Sequence, residues 1–533
     1  MGPAGRGYPL DAGRSARPSQ GIGWGAMILI FDFGSQYTQL IARKIRQLNV
    51  KSDIMPFDWP LAKVRSARPD GIILSGGPAS TYLPGAPRLR QQLLDLGVPV
   101  LGICYGMQAL TRRMGGEVRH GRVREYGQAE IRIERPDPLF KGLKSRTRVW
   151  MSHGDKVERL PPEFLRLASS EDCEFAAVRA GDRPIYGVQF HPEVHHTPRG
   201  DKILANFVFD ICGARPDWKM GRFVEDTIEH LRRHVGDRQV LCAVSGGVDS
   251  TVLAVLLHRA IGERLRTVHV DTGLMREGES ERVVGRFRDQ LGIRVKLVRA
   301  AGRFLGQLRG VASPERKRKI IGREYVRVFF KEFRADELLA QGTLYPDVIE
   351  TARTQGPSAT IKTHHNRVRE IERLIEQGRV VEPLRELFKD EVRVVGARLG
   401  IPRDMLWRHP FPGPGLAVRI LGVVNPRRLT MLRAADRIYI EELRASGHYE
   451  KIWQAFGVLL PIKSVGVMGD ERTYDHVLAL RAVTSVDGMT ADWYEMPKVV
   501  LGRISNRIIN EIKGINRVVY DVSSKPPATI EWE

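Results

Sequence analysis

Short apolar runs alternate with amphipathic stretches of helix length along most of the chain. Ile28–Phe31, Gly71–Leu74 and Val98–Ile103 read as strands, with helices over Gln36–Leu48 and Arg88–Leu96 between them. The runs are continuously apolar rather than alternating, so both faces of the sheet are buried, and strands alternating with helices predict a mostly parallel arrangement. A second series follows a linker-like stretch around Cys212–Trp218: an amphipathic helix Arg222–Val235, a strand Val240–Val244, a helix Thr251–Ala260 and a strand Arg266–Val270. From His409 the pattern changes. His409-Pro410-Phe411-Pro412-Gly413-Pro414-Gly415 is a rigid break, followed by strands Lys463–Met468 and His476–Val483, a helix Pro497–Ile512 and a strand Arg517–Val522. The expected fold class is α/β: two open, mostly parallel sheets and a small C-terminal α+β domain. The expected divisions are 1–26, 27–211, 212–408 and 409–533. Residues 1–26 are rich in Gly, Arg, Pro and Ala without an apolar core, which excludes a secretory signal and predicts a disordered leader before Met27.

Composition narrows the class. The chain has 533 residues, 42% of them hydrophobic, and no apolar run reaches the ~18 residues that a membrane span requires. Cys104, Cys173, Cys212 and Cys242 are far apart with no C-x-x-C, which argues for a reducing, cytoplasmic setting and against a disulfide framework or structural zinc. The net charge of +22 fits a nucleic-acid partner or small anionic substrates. The arginines are spread along the chain rather than gathered in a stripe, so the expectation is no nucleic-acid and no membrane partner.

Ser245-Gly246-Gly247-Val248-Asp249-Ser250 lies between a strand and a helix. Such a turn aims backbone N–H groups and a helix N-terminus at one point, which suits a phosphate. Gly246 and Gly247 let the backbone approach the anion, Ser245 and Ser250 add hydroxyls, and Asp249 is a candidate ligand for Mg²⁺ carried by the phosphates. No lysine follows the glycines, so the Walker pattern is not met. The loop is better suited to holding β,γ-pyrophosphate as a leaving group than to transferring a γ-phosphate. The carboxyl end of the next strand, near Val270 and Leu274, is where a nucleotide base would lie.

A different chemistry stands earlier in the chain. Gly102-Ile103-Cys104-Tyr105-Gly106 copies a nucleophile elbow with cysteine in place of serine. His191-Pro192-Glu193 closes the strand Ile185–Phe190, offering a base and a group to orient it. Ser75-Gly76-Gly77-Pro78, at another strand end, offers N–H groups for an oxyanion. His195 and His196 follow at once, but no second cluster with ligand spacing makes them a metal tract.

Ser245–Ser250 resembles the PP-loop of the ATP pyrophosphatases, and Ser75–Pro78, Gly102–Gln108 and His191–Glu193 together resemble the class I glutamine amidotransferases. That second resemblance implies Cys104 as nucleophile, His191 as base and Glu193 as orienter, with Gly76, Gly77, Tyr105, Gln108, Ser152 and His153 around the glutamine. With His409–Gly415, Lys463–Val467, Gly469–Tyr474 and Lys525–Glu533, the chain from 27 onward is similar to the GMP synthase (glutamine-hydrolysing) family. The resemblance implies XMP, ATP and glutamine as substrates, Mg²⁺, an adenylyl-XMP intermediate and a homodimer. It also implies XMP contacts from Arg472, Lys525, Thr529, Ile530 and Glu531. In two places the chain departs from that pattern. Charged, helix-like Arg367–Arg373 follows His364-His365-Asn366 where the family turns through glycines, and Ser524 stands where glycine is common.

Arg316–Arg323, the densest basic run, fits either a solvated helix face or a phosphate clamp. Gln355–Thr363 has the composition of a mobile lid, and an aromatic and two acids at 531–533 are expected to fray. Two rival readings remain. A tRNA-modifying or NAD-forming PP-loop enzyme lacks a reason for the Cys104, His191 and Glu193 triad and the C-terminal unit, and a nucleic-acid-binding remnant lacks a reason to keep Cys104, His191 and Asp249.

Overall fold

The structure, a computed structural model, describes residues 26–353, 369–468, 471–485, 488 and 490–533. The expected leader up to 25, the lid Gln355–Thr363, His364, His365, Asn366 and Gly469-Asp470 lie outside the described residues. The chain forms two compact units that divide between Lys219 and Met220.

The first unit is built on a nine-stranded sheet. Its strands are β1 Met27–Asp32, β2 Lys51–Pro56, β3 Gly71–Leu74, β4 Val100–Ile103, β5 Glu117–Ile133, β6 Arg146–Arg159, β7 Phe164–Ser169, β8 Ala177–Ala180 and β9 Ile185–Val188, in the order β2-β1-β3-β4-β9-β8-β7-β5-β6. The part from β2 to β9 is parallel. β1, β3, β4 and β9 are continuous apolar runs, with Ile28–Phe31 and Ile72–Leu74 fully buried, whereas the edge strand β2 alternates in burial. The remaining strands are antiparallel. They carry period-two burial, as in Arg146–Arg159, because one face packs and the other meets water. The helix expected over Arg88–Leu96 shrinks to Gln91–Leu94.

The second unit contains a five-stranded parallel sheet of β10 Val240–Ala243, β11 Leu265–Asp271, β12 Val295–Arg299, β13 Leu338–Ala340 and β14 Val380–Val381, in the order β12-β11-β10-β13-β14. Next comes a four-stranded sheet, in which β15 Gln454–Met468 and β16 Glu471–Thr484 form a long hairpin. β17 Asp492–Trp493 and β18 Ile515–Tyr520 also pair with β16. One buried apolar cluster runs from Leu241, Val268 and Phe304 through Leu416 and Leu432 to Leu478 and Ile504, so both sheets share a core.

The residues 531–533 are anchored, not frayed. Fully buried Arg419 donates from Nε and Nη2 to the two carboxylate oxygens of Glu531 at 3.1 and 2.8 Å. Fully buried Arg481 donates to the carbonyls of Thr529 and Ile530 at 3.0 and 2.8 Å. Trp532 donates its indole N–H to Asp521 at 2.8 Å. The basic run also belongs partly to this anchor. It lies in the helix Pro314–Phe329, whose Lys317 is fully buried and pairs with Glu533, while Arg318 donates to the Glu533 carbonyl. At these two positions neither a solvated face nor a phosphate clamp describes the run.

Candidate active site

In the first unit, Cys104 sits between β4 and the helix Tyr105–Arg113 at φ +50°, a value that L-residues other than Gly seldom adopt. The turn is held in place by sterics on both sides. A Cβ on Gly106 would lie 2.2 Å from the Leu74 carbonyl, and one on Gly102 would lie 2.6 Å from the Met107 nitrogen. The glycines thus allow the close crossing of chain that presents the sulfur, while the Cys104 N–H is fixed on the Val188 carbonyl at 2.8 Å.

His191 follows the end of β9. Its Nδ1 lies 2.7 Å from Glu193 Oε1, with both side chains buried. The neighbouring Cys104 sulfur is a further hydrogen-bond partner of the ring. Burial alone favours the neutral imidazole, but the Glu193 charge and the hydrogen bonds to Cys104 and Glu193 outweigh it and hold the pKa well above the usual histidine range. The other carboxylate oxygen of Glu193 is buried with no hydrogen-bond partner among the described residues. A Cβ on Gly76 would stand 3.2 Å from the imidazole Cε1, so that glycine leaves the ring its room.

Cys104 and His191 open into a cavity of about 640 Å³ that Gly77, Gln108, Ser152 and His153 also line. Cys104 Sγ approaches the Ser152 carbonyl at 3.7 Å. The Gln108 amide is engaged by the Asp155 carbonyl at 2.8 Å and by Gln189 at 3.3 Å. Tyr105 does not bring its side chain there. Its ring packs against Phe33, its hydroxyl donates to the Pro87 carbonyl at 2.7 Å, and burial pushes its phenol up to about 12. Sequence reasoning missed Gln189, whose amide nitrogen lies 3.6 Å from Cys104 Sγ. Its place two residues before His191, on the same strand end, was the available signal.

In the second unit the Ser245–Ser250 loop closes on itself. The Ser250 hydroxyl accepts from the Ser245 N–H at 3.1 Å and lies 3.0 Å from the Ser245 hydroxyl, which accepts from the Gly247 N–H at 3.2 Å. Gly246 has φ +76°, and a Cβ there would sit 2.4 Å from Val283. The loop ends at the N-terminus of the helix Val248–Ile261. Asp249 Oδ2 is 3.4 Å from Lys389 Nζ, and its buried Oδ1 has no hydrogen-bond partner among the described residues. Lys389 opens the helix Lys389–Arg398 and was not foreseen, because a contact across 140 residues leaves no local trace. Arg408 was missed for the same reason. It donates to the Gly246 carbonyl at 3.3 Å, and burial draws its guanidinium down to about 10. Val270 and Leu274, the expected base-side residues, both bury their side chains in the core.

The expected XMP residues separate. Thr529 and Glu531 line an open cavity of about 550 Å³ beside Val519–Ser523. Ile530 is buried, and Lys525 donates to the Gly488 carbonyl at 2.7 Å. Arg472 lies away from this cavity, exposed on the β15–β16 hairpin opposite Val467.

Comparison with known proteins gives a consistent picture. The profile of Glutamine amidotransferase class-I matches residues 29–211, that of the PP-loop domain 220–317, and that of the GMP synthase C terminal domain 441–532. The chain is similar to the glutamine-hydrolyzing GMP synthase of Chlorobium chlorochromatii, with 54% identity over 512 residues, 95% of this chain and 99% of that one. It is similar to the enzyme of the same name from Aquifex aeolicus, at 54% over 509 residues, with the same shares covered. The solved structure of a glutamine amidotransferase from Thermotoga maritima is 21% identical and covers 45% of this chain and 91% of its own, with a TM-score of 0.26.

Proposed function

The chain belongs to the glutamine-hydrolysing GMP synthase family, and from that membership we propose how its own residues divide the work. It is an ATP-dependent ligase that aminates XMP to GMP with nitrogen from glutamine. The observation that most directly supports the assignment of roles is the strained Cys104 beside the buried His191–Glu193 pair.

Cys104 attacks the glutamine side-chain amide. N–H groups of Gly76, Gly77 and Tyr105 face the developing oxyanion, and Gln108 and the Ser152-His153 segment shape the wall around the substrate. His191 carries the proton from the thiol to the departing ammonia, and Glu193 holds the ring in its tautomer and stabilises its cation. Glutamate leaves after water opens the thioester.

In the second unit, Ser245, Gly246, Gly247, Val248 and Ser250 cradle the β,γ-pyrophosphate of ATP, with the base toward Val270 and Leu274. Lys389 supplies the cation that the loop itself lacks. Asp249 Oδ1, without a hydrogen-bond partner among the described residues, fits Mg²⁺, which when bound would neutralise charge on the pyrophosphate. The xanthine 2-oxygen attacks the α-phosphorus, pyrophosphate leaves, and ammonia then displaces AMP from carbon 2. XMP contacts are assigned to Arg472, Lys525, Thr529, Ile530 and Glu531. The four tail residues offer a pre-ordered surface because Arg419 and Arg481 fix it.

The assigned domains are a glutaminase over 27–211, a PP-loop synthetase over 212–408 and an XMP-binding, dimerising part over 409–533. A homodimer through the β15–β16 hairpin is supported by exposed Ile462, Val465, Val467 and Tyr474. No helix among the described residues is long and apolar enough to cross a membrane, and we place the enzyme in the cytoplasm without a nucleic-acid partner. Isotope transfer tests the adenylyl step. XMP labelled with ¹⁸O at carbon 2 should deliver the label to AMP, whereas label appearing in water or pyrophosphate would rule that route out.

A further inference from the structure

Beside the glutamine cavity, two paired strands and a turn bring together a carboxylate, a histidine that also lines the cavity, and a cysteine. Glu125 and His153 face each other in register across β5 and β6. Cys173 sits in the turn from β7 to β8, its N–H held by the Ser170 hydroxyl at 3.1 Å. One donor atom from each of the three lies within 4.8 Å of the other two. The side chains of His153 and Glu125 are 4% and 12% exposed, and Cys173 is 2% exposed.

The histidine is set up as a ligand. Its Nδ1 lies 3.1 Å from the Asp155 carbonyl, an acceptor, and the tautomer that donates Nδ1–H to it leaves Nε2 as a ligand atom. Nε2 lies 3.2 Å from Glu125 Oε2. A carbonyl on the far ring nitrogen is the outer contact typical of metal-bound histidine. In addition, the Ser170 hydroxyl donates to the other Glu125 oxygen at 3.1 Å and fixes the carboxylate. A tetrahedral ion with bonds of about 2.0–2.3 Å spaces its ligand atoms by roughly 3.3–3.8 Å, within the observed spread.

We propose that Glu125, His153 and Cys173 form a binding site for a divalent cation of zinc type, with a fourth position left for water. The mixed N, S and O donor set suits Zn²⁺ better than Mg²⁺ or Ca²⁺, which take oxygen. Binding exchanges the Cys173 S–H bond for a metal–sulfur bond and releases the proton to solvent. The ion pins the β7–β8 turn to the β5–β6 pair that forms one wall of the glutamine cavity. The proposal shares His153 with the glutamine wall assigned above and involves none of Cys104, His191 and Glu193.

The test uses the full chain, stripped by chelator and titrated with Co²⁺ and then Zn²⁺. The Cys104→Ser protein, which lacks the other cavity thiol, is the reference. It should take up one Co²⁺ with thiolate-to-cobalt charge-transfer absorption, and Zn²⁺ should displace it. Adding Cys173→Ser should abolish that band and weaken Co²⁺ binding at least about a hundredfold, beyond the ~10–100-fold expected of an outer contact. Glu125→Gln, which preserves volume, serves if the serine variant does not fold. It should keep the band and weaken binding at least about tenfold. No charge-transfer band in Cys104→Ser, a band surviving Cys173→Ser, or unchanged affinity in Glu125→Gln would each overturn the site.

Discussion

Lys317 carries its charge at a fully buried position, where Nζ donates to Ala417 O at 3.1 Å, Ile420 O at 2.6 Å and Glu533 Oε2 at 2.5 Å. Burial pulls its pKa down, and the Glu533 carboxylate pushes back. Glu533→Gln keeps an acceptor but removes the compensating charge. Breaking a buried pair costs about 3–5 kcal/mol, and the two carbonyls that remain point to the lower end, about 3 kcal/mol. At roughly 2 °C per kcal/mol for a unit of this size, calorimetry should show the Met220–Glu533 unit melting about 6 °C lower. Lys317→Met alone leaves Glu533 without its cation and should also destabilise. The double variant replaces both charges and should return to within about 1 kcal/mol of the parent, because an uncharged substitute for a buried pair is close to neutral. The reasoning fails if Glu533→Gln melts with the parent, or if the double variant is no better than either single one.

Three other outcomes follow from the same geometry. Glu193→Gln removes the charge that raises the His191 pKa. The imidazolium is then lost at lower pH, so the alkaline limb of glutamine-dependent kcat/KM should move to lower pH while the ammonia-dependent profile stays put. Buried His409 has its pKa lowered to about 4, chiefly by burial. The unfolded chain, near 6.5, therefore takes up the proton first, and stability present above pH 6.5 is lost on the way to pH 4, by about 3 kcal/mol. Equilibrium denaturation of His409→Gln should show a correspondingly flatter pH slope, and an identical slope would refute the assignment. Lys389→Met should cut kcat for XMP adenylylation about 10²–10³-fold, the scale of one lost charge-stabilising donor, without changing the glutaminase half-reaction. Quench-flow measurement of pyrophosphate release would detect it.

Much of this architecture was legible because its elements are local. Strands β1, β3, β4 and β10 are continuous apolar runs, and the Cys104 and Ser245–Ser250 turns are bounded by glycines whose Cβ atoms would collide with backbone or with Val283. The antiparallel strands β5 to β8 were not read, since their half-polar pattern resembles loop as much as strand. Lys389, Arg408 and Gln189 reach their sites through tertiary packing. Glu125, His153 and Cys173 lie too far apart in sequence to show ligand spacing. The residues 531–533 misled for a related reason: acidic composition near a chain end suggests solvent, but buried Lys317 and Arg419 are the partners that bring those acids inside.

The central claim is that a cysteine-dependent glutaminase supplies ammonia to an ATP-dependent synthetase in one chain. Purified parent and Cys104→Ala proteins would be given XMP, ATP and Mg²⁺ with either glutamine or ammonium, and GMP, AMP and pyrophosphate followed together. The account predicts that the variant makes no GMP from glutamine and makes it at the parental rate from ammonium. A variant still active with glutamine, or a parent that forms no GMP from either donor, would contradict it.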